Sequence, residues 1–278
     1  MKILIANDDG PKAEGLQVLR AAAKAAYPHA TIVTITPRQP SGGQGLSVTP
    51  RNLRDLPVER MDSQWYVCDA KPADIIYLAL GQPRRFLARG RFDLVLTGVN
   101  HGENIGMDVF HSGTVGMAML ASTFFGTAAV ALSSQGKQDA TSEQVAAPSF
   151  DHSKSSFIVN FLRSDWRKFS LCWNVNFPGC RPLGWKVCSV AYHSRFRPFK
   201  AEERKHDGCD VVQLEKGLIA ISPLCLNVAP WNHFTTVPVD PVHWACRTNG
   251  TCFVGSRLAR ETTGRNMRCD PDVDKGGL

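Results

Sequence analysis

Between Lys2 and Leu132, short apolar runs alternate with segments of helical periodicity, and few folds accept that order. Lys2–Ala6 reads as a strand, and Glu14–Tyr27 carries Leu16, Leu19, Ala22, Ala23 and Ala26 at helical spacing. Ala30–Ile35, Trp65–Cys68, Phe92–Thr97 and Thr127–Leu132 read as further strands. Pro72–Leu80, opened by proline in its first turn, and Val115–Phe124 read as helices between them. The expected product is an α/β fold, a mostly parallel sheet with helices on both faces. Ligands in such folds bind beyond the carboxyl ends of the strands.

The remainder of the chain is less regular. Residues 137–152 are polar and read as a loop, Phe157–Trp166 as a helix, and Leu171–Phe177, Trp185–Tyr192 and Leu218–Ser222 as strands of a smaller β-rich section. Residues beyond 230 show no clear period. The net charge of +7 suggests a nucleic-acid partner until its distribution is considered. Residues 151–205 hold 11 Lys and Arg against 4 Asp and Glu, which leaves the rest of the chain balanced at 21 against 21. One segment is basic, and no nucleic-acid motif accompanies it; Arg195–Lys200 reads as an exposed arm.

Eight of the nine cysteines follow residue 171 with no Cys-x-x-Cys pair, which argues against a zinc site. No secretory leader is expected, because Met1–Ile5 runs straight into a strand, so the thiols read as reduced and the protein as cytoplasmic. The longest stretch free of Asp, Glu, Lys and Arg, Val109–Gly136, is interrupted by serine, threonine, glycine and histidine and does not read as a membrane span.

Three loops at expected strand ends carry the chemistry. Asn7-Asp8-Asp9-Gly10 places two carboxylates side by side, where a hard cation would keep both ionised; as an isolated signal it is equally a turn. Gly98-Val99-Asn100-His101-Gly102-Glu103-Asn104-Ile105-Gly106 brings amide oxygens and permissive glycines to a second strand end. It runs through His111 into Ser112-Gly113-Thr114, whose hydroxyls and backbone N–H groups open a helix, suited to an anion or to ordinary capping. Ser41-Gly42-Gly43 lies in the third loop. An all-oxygen donor set of this kind suits Mg²⁺ or Mn²⁺.

Together these motifs resemble the SurE (survival protein E) family of metal-dependent nucleoside monophosphate phosphatases. The resemblance rests on Lys2–Gly10, Ser41-Gly42 and the run Gly98–Val115, with weaker echoes at Pro72-Ala-Asp74, Asn174-Val-Asn-Phe-Pro178 and Gly217–Leu224. It implies a Rossmann-like core over residues 1–136 and about 150–180, a β-rich oligomerisation arm over about 181–230, and a homodimer or homotetramer, with residues 231–278 unassigned. It implies Asp8, Asp9, Ser41 and Asn100 as ligands of Mn²⁺ or Mg²⁺, with Asp8 and Asp9 catalytic. It also implies Asn104, Ser112, Gly113 and Thr114 as the phosphate set, and 5′- and 3′-nucleoside monophosphates, sometimes short polyphosphate, as substrates. The chain departs from the pattern at Lys71, at His111 (a candidate general acid where an aromatic is frequent), and at Leu120-Ala121 where a Glu-Gly pair is common. A catalytically silent nucleotide-binding protein of the same family is the alternative, and RNA binding through residues 151–205 a more distant one.

Overall fold

The computed structural model describes residues 1–49, 52–138, 145–146, 151–168, 170–191, 207–224, 244–246 and 252–254. The chain divides into two compact units, Met1–Pro241 and Val242–Leu278. In the first, the early elements are β1 (Lys2–Ala6), α1 (Glu14–Ala26), β2 (Thr31–Pro37), β3 (Val58–Asp62), β4 (Trp65–Cys68) and α2 (Pro72–Gly81). There follow β5 (Leu94–His101), α3 (Gly113–Thr123), β6 (Ala128–Ser134), β7 (Lys137–Gln138), β8 (Val145–Ala146) and α4 (His152–Arg163). The last are β9 (Cys172–Phe177), β10 (Gly184–Val187), α5 (Asp210–Glu215) and β11 (Leu218–Pro223). The second unit holds the antiparallel pair β12 (Trp244–Cys246) and β13 (Cys252–Val254).

Nine strands form one sheet in the order β10-β11-β9-β6-β5-β1-β2-β4-β3. Only the β11–β9 and β3–β4 pairings are antiparallel. The alternating residues Ile3 and Ile5 on one face of β1, and Leu4 and Ala6 on the other, are all fully buried, so both faces are covered. Helices α2 and α3 share a core with Leu4, Ala6, Val33, Ile35 and Val95, and α1 packs with α4. β6 and β9 are buried along their whole length, as strands of a doubly covered sheet should be, although β6 ends in Ser133-Ser134 and β9 carries Asn174 and Asn176. The mostly parallel α/β architecture expected from the sequence is therefore present.

The chain leaves β1 for β2 and β4 on one side, then crosses through α2 to β5 on the other. Such a switch point opens a crevice at the strands' carboxyl ends. It sets the turn after β1 beside the end of β5. There β5 shifts register between Thr97 and Asn100, a bulge that re-aims Asn100. A side chain at Gly98, where φ is +107°, would lie 2.1 Å from the Leu132 carbonyl oxygen. One at Gly15 would lie 2.0 Å from the Val99 carbonyl oxygen, so α1 seats directly on the bulge.

Some elements differ from the sequence reading. β3 is an edge strand with four of its five residues exposed, so it lacks the apolar alternation that marks a half-buried strand. α4 begins at His152, not Phe157, because Asp151 accepts from the Lys154 N–H at 2.9 Å and starts the helix in a polar stretch. The strands read as a smaller β-rich section, β9, β10 and β11, hydrogen-bond into the main sheet. Arg195–Lys200, most of the 137–152 loop and most of the tail beyond 230 lie outside the described residues. Among the described residues no helix is long and apolar enough to cross a membrane.

Gly15→Ala tests the seating of α1. Alanine in a helix interior ordinarily gains about 1 kcal/mol over glycine. Here the methyl group meets backbone, and the expected outcome is a loss of about 1–3 kcal/mol in urea unfolding.

Candidate active site

β1 delivers Asp8 into the crevice with only 2% of its surface exposed. The turn is closed locally: Asn7 Nδ2 donates to the Gly10 carbonyl oxygen at 2.8 Å, and Gly10 takes a φ of +90°. The Asp8 carboxylate lies under the first turn of α3, where Thr114 Oγ1 donates to its Oδ1 at 2.5 Å. Backbone N–H groups of Gly113 and Thr114 also bond to it. Position 113 must be glycine for this approach, since a side chain there would lie 2.7 Å from Asp8 Oδ2 and 2.8 Å from Pro72 Cγ. Burial pushes the Asp8 carboxyl above its usual range, and the Thr114 hydroxyl and those N–H groups oppose the rise.

Asp9 is partly buried and accepts from the His101 backbone N–H at 3.1 Å. Burial, then repulsion from Asp8, raises its carboxyl to about 6. Asn100, on the bulged end of β5, donates through Nδ2 to the Gly102 carbonyl at 2.8 Å. Its Oδ1 is thereby turned toward Thr114 Oγ1, 3.4 Å away. One buried hydroxyl thus stands between the Asp8 carboxylate and the Asn100 amide oxygen. Ser41 is anchored on the same turn, its N–H donating to the Asp8 carbonyl at 2.8 Å and its hydroxyl lying 3.5 Å from that oxygen. The loop that carries Ser41 closes onto the turn before α3, with the Gly45 N–H donating to the His111 carbonyl at 2.9 Å.

These donors fit a hard divalent cation. Two neighbouring carboxylates, each made harder to ionise by burial, gain most from a positive charge between them, and the neighbouring neutral donors are oxygens. Among the described residues no group of three or more His, Cys, Asp or Glu side chains forms a metal site, so a cation here would draw on the acidic pair and neutral oxygens.

Of the residues read as a phosphate set, Ser112, Gly113 and Thr114 open α3 against Asp8, while Asn104 bonds to β6 and β9. Ser112 Oγ accepts from the Val115 N–H at 3.0 Å, capping α3, and the Thr114 hydroxyl serves Asp8. Asn104 is 7% exposed and donates through Nδ2 to Ser133 Oγ at 2.8 Å. Its backbone is gripped from β9: the N–H donates to Asn176 Oδ1 at 2.7 Å, and the carbonyl accepts from Asn174 Nδ2 at 2.7 Å and Asn176 Nδ2 at 3.1 Å. His111 is exposed on the turn before α3. Asn174 and Asn176, in the sequence only a weaker echo of the family pattern, share one face of the wholly buried β9 and turn their amide groups to the Asn104 backbone.

The family model for Survival protein SurE matches residues 3–197. The chain belongs to the SurE family. It is 36% identical over 213 residues to the 5′-nucleotidase SurE of Synechococcus sp. (strain WH7803), covering 72% of this chain and 73% of that one. It is 29% identical over 249 residues to the 5′-nucleotidase SurE of Paramagnetospirillum magneticum (strain ATCC 700264 / AMB-1), covering 82% and 91%. The fold superposes on the crystal structure of the SurE protein from Aquifex aeolicus with a TM-score of 0.65 and 26% identity, over 85% of this chain and 98% of that chain. The switch-point crevice described above lies within the SurE-matched span.

Thr114→Val removes the hydroxyl between Asp8 and Asn100 while keeping the side chain's shape. A buried carboxyl group loses a hydrogen-bond partner, so the chain is expected to lose about 1–3 kcal/mol of unfolding free energy in urea at pH 7.

Proposed function

We propose that this chain hydrolyses nucleoside 5′- and 3′-monophosphates to nucleoside and phosphate, with Mn²⁺ or Mg²⁺ held by Asp8, Asp9, Ser41 and Asn100. The observation that carries this reading is the convergence of the Asp8 carboxylate and the Asn100 amide oxygen on the Thr114 hydroxyl at the start of α3, with Asp9 beside Asp8, in a chain of the SurE family whose relatives are named 5′-nucleotidases. When bound, the cation neutralises phosphate charge and lowers the pKa of a water that can attack phosphorus. Asp9, less buried than Asp8, would orient that water and accept its proton. The positive end of α3, with Asn104, Ser112, Gly113 and Thr114, receives the phosphoryl oxygens. His111, exposed at the mouth, gives a proton to the departing ribose oxygen. Without a cation, Asp8 and Asp9 repel the substrate.

The reading extends to a homodimer or homotetramer, which the family resemblance supports; of the oligomerisation arm expected over about residues 181–230, β10 and β11 belong to the main sheet together with residues 1–136 and about 150–180. A cytoplasmic location is part of the same reading, and the cysteine pattern of the sequence, which reads as reduced thiols, supports it.

Phosphate release from a panel of nucleoside monophosphates tests the proposal. With Mn²⁺ the full-length chain is expected to turn over at least one of them, EDTA to abolish release, and Asp8→Ala and Asn100→Ala each to lower kcat/KM by roughly 100-fold or more. Undiminished release in EDTA, or none from any nucleotide with metal present, would overturn it.

A further inference from the structure

The loop that carries Asn104 is held from two sides, and the second side lies outside every motif quoted above. Asp210, the first residue of α5, is fully buried. Its Oδ1 accepts from the Ala191 and Val211 N–H groups, each at 2.9 Å. Its Oδ2 accepts from the Gly106 N–H, also at 2.9 Å and 104 residues away in sequence. Gly106 has a φ of +57° and begins the turn whose Asp108 carbonyl receives the Ser112 N–H at 3.2 Å. The contact is reinforced by Ile105, which is buried against Ala191, Cys209, Val211 and Leu214. A buried carboxylate with all its bonds directed to backbone N–H groups is costly to place and strongly directional once placed.

We infer that Asp210 is a positioning residue for the reaction, fixing the 104–106 loop so that Asn104 and the start of α3 face the phosphoryl group in register. The inference rests on the phosphatase reading for its kinetic consequence, but its structural half stands alone. The division of labour between the two oxygens makes it separable from folding. In Asp210→Asn the amide oxygen can retain Ala191 and Val211, while the amide nitrogen then meets the Gly106 N–H donor to donor. The local α5 bonds survive and the loop bond does not.

Two measurements on the full-length chain decide the matter. By amide hydrogen exchange, Asp210→Asn is expected to raise exchange at Gly106 and its loop neighbours about tenfold or more, with Leu214 and Ile219 unchanged. By kinetics with Mn²⁺, kcat/KM is expected to fall roughly 10- to 100-fold, the range for a residue that orients a ligand-binding group. Asn104→Ala in the same chain should then cost little more, because both changes act on one loop. Loop exchange at the wild-type rate, or losses from Asp210→Asn and Asn104→Ala that multiply, would overturn the assignment. Should Asp210→Asn not fold, the same readings are taken on Asp210→Glu, which keeps the charge and displaces the Gly106 bond. If the wild-type chain releases no phosphate, the phosphatase reading fails, and the exchange result still decides whether Asp210 holds the loop.

Discussion

The site depends on a carboxylate placed where solvent cannot reach it. Asp8 could be held in a shallower turn, with water to stabilise its charge, but β1 drives it under α3, and α3 supplies what water would have supplied. This arrangement requires a helix start with no side chain at Gly113, a hydroxyl at Thr114 and a cap at Ser112. It also requires β5 to bulge, since a regular strand would send the Asn100 side chain elsewhere. The parallel sheet, the switch point and the bulge can each be read as ways of bringing other oxygens beside that one buried carboxyl group, an arrangement that a cation would relieve.

Much of this was legible in the sequence. The β1–α1–β2 order, the acidic pair and the glycine-asparagine run follow from residue type and spacing, because a doubly covered sheet leaves strong apolar runs and its ligand loops leave small polar ones. What escaped was set by tertiary context. β3 is an edge strand whose residues, Val58–Asp62, are nearly all exposed, and α5 has six residues, too few for a helical period to show. The direction of the Thr114 hydroxyl could not be inferred from Ser-Gly-Thr, since the same residues cap helices and bind anions; only the depth of Asp8 decides between those uses here. Asp210 is the clearest case, because a lone acid before a short helix resembles an ordinary first-turn charge until its partner at Gly106 is seen.

The loop between β5 and α3 is secured at several points of its main chain. Asn104 is gripped at its N–H and carbonyl, Gly102 donates to the Ser134 carbonyl at 2.9 Å, and Gly106 donates to Asp210. Each of those bonds ties the loop to a different late element: β6 through Ser134, β9 through Asn174 and Asn176, and α5 through Asp210. A substitution in any of the three therefore reaches the crevice from a distance, through the main chain of one loop, while the turn that holds Asp8 stays closed by its own Asn7 bond.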